Sequence, residues 1–196
     1  MNSPRTFPDI VLASASPRRR ELLQQIGVPF RVIVADVDET VRADEKPAAY
    51  VKRVARAKAL DVCRRQDDGM PVLGADTAVV LAGQILGKPN SRAEAAAMLA
   101  RLSGRTHEVF SAVALAESTT AVHEALNVTQ VTFAPLETGW IDSYCDSGDP
   151  MDKAGAYGVQ GRAAEKIVRI EGSFYGVMGL PLYETAQLLG RLEVLF

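Results

Sequence analysis

The sequence predicts a three-layer α/β fold built on a mixed twisted sheet flanked by helices. Short apolar strands alternate with segments of helical period, and two long β-rich segments in the middle of the chain read as one hairpin. At 196 residues, 47% hydrophobic and 23% charged, the chain supports one sizeable core, or two lobes sharing one, and is not disordered.

Residues 9–13 (DIVLA) form a buried strand that runs through residues 14–16 into a helix over 17–26, with Ser16 as N-cap and Pro17 at the first helical position. Gly27 and Pro29 stop that helix, and residues 30–34 (FRVIV) make the next strand. Residues 35–46 (ADVDETVRADEK) are an acidic loop, and Pro47 opens a long helix reaching Arg65. The stretch PVLGADTAVVLAGQIL reads as a strand broken at residues 74–77, resuming over 78–81 and turning at Ala82 and Gly83. Ser91-Arg-Ala-Glu94 is a capping box whose helix runs to Leu102, where Gly104 ends it. Residues 107–117 and 122–133 form the hairpin, joined around 118–121. A helix over 138–145, a glycine-rich loop (SGDPMDKAGAYGVQGRA), a strand over 167–171 and a helix after Pro181 complete the order. No repeat or linker-like stretch divides this series, so residues 1–196 read as a single domain with no clean internal boundary.

Bulk properties exclude several functions. A net charge of −2 gives no reason to expect a nucleic-acid polymer as partner, so any bound anion must be held by a local cluster. Cys63 and Cys145 lie far apart, with neither a disulfide framework nor metal spacing, which points to a reducing cytoplasm. No apolar run is long enough to span a bilayer, and MNSPRTFPD lacks the apolar core of a signal peptide.

Five stretches carry chemistry. In LASASPRRRELL, Arg18, Arg19 and Arg20 sit where a helix start already bears partial positive charge, a placement that loses ~0.3–1 kcal/mol per cation. With Ser14, Ser16 and the free N–H groups of the helix start, they make a polyphosphate cradle. Solvated arginines paired with Glu21 or the acidic loop are the alternative. Asp76 interrupts an apolar strand, a costly position unless it is paired, bound to metal or at a strand end; Gly74 lets something approach the backbone closely. Asp76 reads as a metal ligand or a base for an attacking water, against a plain turn aspartate. The carboxylates Asp36, Asp38 and Glu39 suit magnesium shared with phosphates, or simply a solvated face. Lys58 lies among alanines on the inner face of its helix, and Lys88 is fixed between Gly87 and Pro89; each is a phosphate partner or, respectively, a snorkelling and a solubilising lysine. In DKAGAYGVQG, small residues let a ligand lie against the chain, and Gln160 offers a donor and an acceptor to a base edge. Tyr157 either stacks on a ligand or belongs to the core. His107 and His123 read as surface or strand-pairing residues, and no nucleophile triad is visible.

Taken in order, LASASPRRRELL, DVDET, the helix carrying Arg56 and Lys58, GADT, GKP, DKAGAYGVQG and GSFYGVMGLPL resemble the Maf family of nucleoside triphosphate pyrophosphatases over residues 9–185. The resemblance implies two lobes around a central cleft, kinship to inosine-triphosphate pyrophosphatases, a homodimer, and hydrolysis of a nucleoside triphosphate to the monophosphate and pyrophosphate with a divalent cation, Mg2+ or Mn2+. It implies that Asp76 is the catalytic proton acceptor, that Ser14, Arg18, Arg19, Glu39, Lys58 and Lys88 line the cleft, and that Arg18, Thr77 and Gln160 select the substrate. The branch acting on 7-methyl-GTP carries Trp, Gln and Glu at those three positions, so this sequence resembles the dTTP/UTP branch. On that basis Asp76 and Glu39 are the expected metal ligands, with Lys58 and Lys88 assisting catalysis. One departure is Phe-Tyr-Gly-Val-Met after Ser173, where many members have Asn before the Val. A nucleotide-binding regulator of septum formation is the alternative from another functional class.

Overall fold

The computed structural model describes residues 7–192; the polar start of the chain, residues 1–6, lies outside them. Seven strands form one mixed sheet in the order β2-β1-β3-β5-β6-β7, with β4 pairing β3 off this path. The strands are β1 (Ile10–Leu12), β2 (Phe30–Val32), β3 (Val72–Leu81), β4 (Gln84–Leu86), β5 (Thr106–Ala116), β6 (Val122–Phe133) and β7 (Ile167–Glu171). The helices are α1 (Pro17–Gln25), α2 (Pro47–Arg65), α3 (Arg92–Leu102), α4 (Thr138–Asp146), α5 (Phe174–Met178) and α6 (Leu182–Leu189).

The predicted caps form. Ser16 Oγ accepts from Arg19 N–H at 3.4 Å, and Ser91 Oγ accepts from Glu94 N–H at 3.1 Å. The second half of the capping box is displaced by one residue, because the Glu94 carboxylate accepts from Asn90 N–H at 2.8 Å. The hairpin closes as expected, with Glu117 N–H donating to Ala121 O at 3.0 Å. The expected break at residues 74–77 is absent: β3 is continuous and pairs with β5 from Val72 to Val80. The interrupting residues stay in the ladder because each has a tertiary reason to be there. Gly74 lies against the backbone of α2, where an added Cβ would stand 2.3 Å from Ala55 O, and Asp76 has an ionic partner. The glycine-rich loop is also more ordered than its composition suggests, containing three short 3₁₀ turns between residues 149 and 166.

Alternation along β3 distributes its side chains between three apolar clusters. Leu73 and Ala75 pack with Leu22, Leu23 and Leu189, while Val79 and Leu81 pack with Leu99, Phe133 and Tyr144. On the opposite face, Val72, Ala78 and Val80 pack with Val51, Ala55, Ala59 and Val62 of α2. One edge of β3 is covered by β5, and two strands share the other. β1 runs parallel to Val72 and Leu73, whereas β4 runs antiparallel to Val79–Leu81. Between them, residues 74–78 have no strand neighbour on that side among the described residues. This gap in the sheet edge is where the site lies. Among the described residues, no helix is long and apolar enough to cross a membrane.

Candidate active site

A cleft of about 930 Å³ opens at that gap. Its floor is Asp76 and Thr77. One wall is the α1 start with Ser14, Ser16, Arg18 and Arg19, another is the turn bearing Lys88, and Glu39, Lys58 and Gln160 also line the cleft. Every residue that the family resemblance assigns to the site therefore lines one cavity. Arg20 does not: it is exposed on the outer side of α1, so two arginines rather than three face the cleft. Asp36 and Asp38 are likewise absent from it and line a separate depression; of the acidic cluster only Glu39 reaches the cleft.

Neighbouring positions on β3 point to opposite faces of the sheet, and the open edge makes both accessible. Asp76 faces α2, where Lys58 Nζ donates to its Oδ1 at 2.9 Å. Lys58 is buried, so it does not snorkel, and its ammonium also meets Glu39 Oε2 at 3.0 Å. Burial raises the Asp76 carboxyl above its ordinary pKa, against the opposing pull of Lys58 and Arg19. Thr77 faces the other way, with its hydroxyl 3.0 Å from Ser111 Oγ. Arg19 extends from α1 across this face. Its Nε donates to Gly179 O at 2.8 Å, its Nη1 to Ser14 Oγ at 3.2 Å, and its Nη2 to Thr77 Oγ1 at 3.5 Å. All three acceptors are neutral, so none of these bonds pairs the guanidinium with a carboxylate. Burial lowers the Arg19 pKa, partly offset by the Asp76 and Glu39 carboxylates. The dipole mismatch in PRRR thus reflects a guanidinium turned inward.

Several cleft residues gave no clear signal in the sequence. Arg18 reaches Asp152 at 3.5 Å across the cleft mouth, and Lys153 bonds Asp149 Oδ1 at 3.0 Å and Asp152 Oδ1 at 2.7 Å. Asp152 and Lys153 open the DKAGAYGVQG stretch, but nothing in that stretch indicates these ion pairs. Tyr50, also unanticipated, donates to Glu39 O at 3.1 Å; burial, then the Asp76 and Glu39 carboxylates, push its hydroxyl up to about 12. His107 follows the strand-pairing alternative and not the surface one: it pairs with Val131 in the β5–β6 ladder and is buried, with Nε2 2.7 Å from Tyr157 Oη, and burial lowers its pKa to about 4. His123 stays near the surface beside Glu117, 2.9 Å away. Tyr157 belongs to the core, packed edge-on to Phe133, although its edge reaches the cleft.

The donor set suits a hard divalent cation. Asp76 and Glu39 bring two carboxylates to one ammonium, and oxygen ligands of this kind favour Mg2+ or Mn2+. No group of three or more His, Cys, Asp or Glu able to hold a metal occurs among the described residues.

Comparison with known proteins places the chain in a family. The family model described as Maf-like protein matches residues 9–192. A dTTP/UTP pyrophosphatase of Methylobacillus flagellatus is 55% identical over 92% of this chain and 90% of its own. One from Cupriavidus pinatubonensis is 49% identical over 95% of this chain and 98% of its own. The solved Ham1 protein of Staphylococcus aureus shares the fold at a TM-score of 0.51 and 14% identity, over 95% of this chain and 98% of its own.

Proposed function

The chain belongs to the Maf-like protein family, and from that premise we propose that it is a nucleoside triphosphate pyrophosphatase that hydrolyses dTTP and UTP to the monophosphate and pyrophosphate. The observation that carries this reading is a buried carboxylate, Asp76, at the floor of a cleft walled by Arg18, Arg19, Lys58 and Lys88. Such an arrangement grips a polyanion and places a base beside it.

The α1 start, with Ser14, Ser16, Arg18 and Arg19, holds the phosphate chain together with Lys88, which lines the same cleft. Charge developing on the leaving pyrophosphate is met by these preorganised donors. Asp76 accepts the proton of the water that attacks the α-phosphorus, a role helped by its raised pKa. Lys58 holds the Asp76 and Glu39 carboxylates together at its ammonium, offsetting their mutual repulsion. A divalent cation held by Asp76 and Glu39 would supply Lewis-acid polarisation of the phosphoryl oxygens. Arg18, Thr77 and Gln160 select the pyrimidine substrate. Two unpaired cysteines support a reducing cytoplasm as the site of action. The family resemblance supports a homodimer, which light scattering on the purified protein checks.

Pyrophosphate release from a panel of triphosphates with Mg2+ or Mn2+ tests the reading. dTTP and UTP should head the ranking. A ranking headed by 7-methyl-GTP, or nucleotide binding with no pyrophosphate released, would overturn it.

A further inference from the structure

Two side chains of α2 reach out of the helix to three consecutive backbone carbonyls. Arg53 Nη1 donates to Asp38 O at 3.5 Å, Tyr50 Oη to Glu39 O at 3.1 Å, and Arg53 Nη2 to Thr40 O at 2.9 Å. The guanidinium also forks onto Glu45, with Nε 2.6 Å from Oε1 and Nη2 2.7 Å from Oε2. That carboxylate in turn accepts from Arg42 N–H at 3.1 Å, and the Arg53 guanidinium lies over the Tyr50 ring, 5.6 Å from its centroid. Charge-assisted, bidentate bonds of this kind are strong and directional, unlike an ordinary surface ion pair.

The clamped segment, residues 36–46, contains neither helix nor strand; a turn bond from Glu45 N–H to Arg42 O at 3.2 Å lies beyond Glu39 and does not fix it. Yet it carries Glu39, the middle of the three clamped residues, whose carboxylate meets Lys58 at 3.0 Å. Lys58 projects from the same helix as the clamp. One rigid element therefore sets both the ammonium and the backbone of the acid that meets it. Arg53 itself lines the neighbouring depression rather than the cleft.

We propose that Arg53, aided by the cleft residue Tyr50, is a positioning residue that holds the Glu39 carboxylate at Lys58 and Asp76, and that turnover depends on Arg53 although it lies outside the cleft. This rests on the reading of the cleft as the pyrophosphatase site. Groups that orient a functional carboxylate from behind typically govern activity by roughly 10-fold to 100-fold.

The test uses Arg53→Met, Arg53→Lys and Tyr50→Phe in the full chain, each alone and combined with Glu39→Gln. Arg53→Met should lower kcat for dTTP by roughly 10-fold to 100-fold with KM little changed. Arg53→Lys should not restore it, since one ammonium cannot span two carbonyls and the Glu45 fork. In the Glu39→Gln background, Arg53→Met should cause no further loss, because its effect runs through Glu39. Hydrogen exchange gives a readout independent of any substrate: amides of residues 38–45 should exchange faster in Arg53→Met while those of α2 keep their protection. An undiminished kcat, losses that multiply with Glu39→Gln, or unchanged exchange at residues 38–45 would each overturn the proposal. Should Arg53→Met fail to fold, Glu45→Gln weakens the fork with the arginine in place and is read by the same two measurements.

Discussion

Gly74→Ala tests whether the contact between α2 and β3 sets the site. An added Cβ would stand 2.3 Å from Ala55 O, 2.7 Å from Ala59 N and 3.0 Å from Ala59 Cβ. Two of these are backbone atoms, so no rotamer change relieves the clash and the helix must move away by about 1 Å to reach ordinary contact. Overpacking of this kind costs ~1–3 kcal/mol, and the rigidity of both partners places this case near ~3 kcal/mol. For a chain of this size that lowers Tm by roughly 6–12 °C. The same movement carries Lys58, one residue before Ala59, away from Asp76. A bond now 2.9 Å long would pass beyond hydrogen-bond reach, and turnover should fall with stability. Thermal denaturation followed by circular dichroism, together with pyrophosphate release from dTTP below Tm, measures both effects. Gly139→Ala is the control, because an added Cβ there would meet nothing within 4 Å. A Gly74→Ala protein matching wild type in Tm and turnover would refute the claim that this close approach positions the lysine.

Asp76→Asn should fold with an unchanged or higher Tm, since burial disfavours the ionised carboxyl, and should lose roughly 10²–10⁴ in turnover; near-normal hydrolysis would remove Asp76 as the base. The raised Asp76 pKa also sets opposing pH trends. In the nucleotide-free protein its contribution to folding is present at acid pH and lost as pH rises through the folded pKa, whereas activity rises over that window; profiles of kcat/KM and of urea midpoint for wild type and Asp76→Asn separate the two. His107 acts in the other direction. Its folded pKa of about 4 lies below the ordinary 6.5, so its stabilisation is full above 6.5 and declines as pH falls toward 4, a loss of about 3 kcal/mol. Urea midpoints at neutral and mildly acid pH should converge for His107→Gln relative to wild type, and an identical pH dependence would exclude it. Arg18→Trp should weaken hydrolysis of dTTP and UTP more than of a purine triphosphate; an unchanged substrate ranking would show that Arg18 does not select the base.

Local order was legible in the chain because its determinants are local. Ser16 and Ser91 cap the helices they precede, and the hairpin turns where Ser118 begins it, since each contact spans only a few residues. The oddities were legible too. A run of arginines at a helix start and an aspartate in an apolar strand each conflict with local preference, and both mark the cleft. Less legible was the continuity of β3. Gly74 and Asp76 resemble a strand break until α2 is placed over them, where the glycine admits the helix and the lysine neutralises the acid.

The sequence alone determined the alternation of strands and helices, the caps, and the residue types assembled for a polyanion, because periodicity and propensity act within a few turns of chain. Only the tertiary structure decided which of them meet. It turned Arg19 inward and Arg20 outward, chose Glu39 over Asp36 and Asp38, buried His107 against Tyr157, and opened the sheet edge at Asp76. Those outcomes depend on contacts between distant parts of the chain, such as Arg19 with Gly179 and Arg18 with Asp152. Alternation along a strand says which face a side chain takes, but which helix covers that face is settled only when the layers pack.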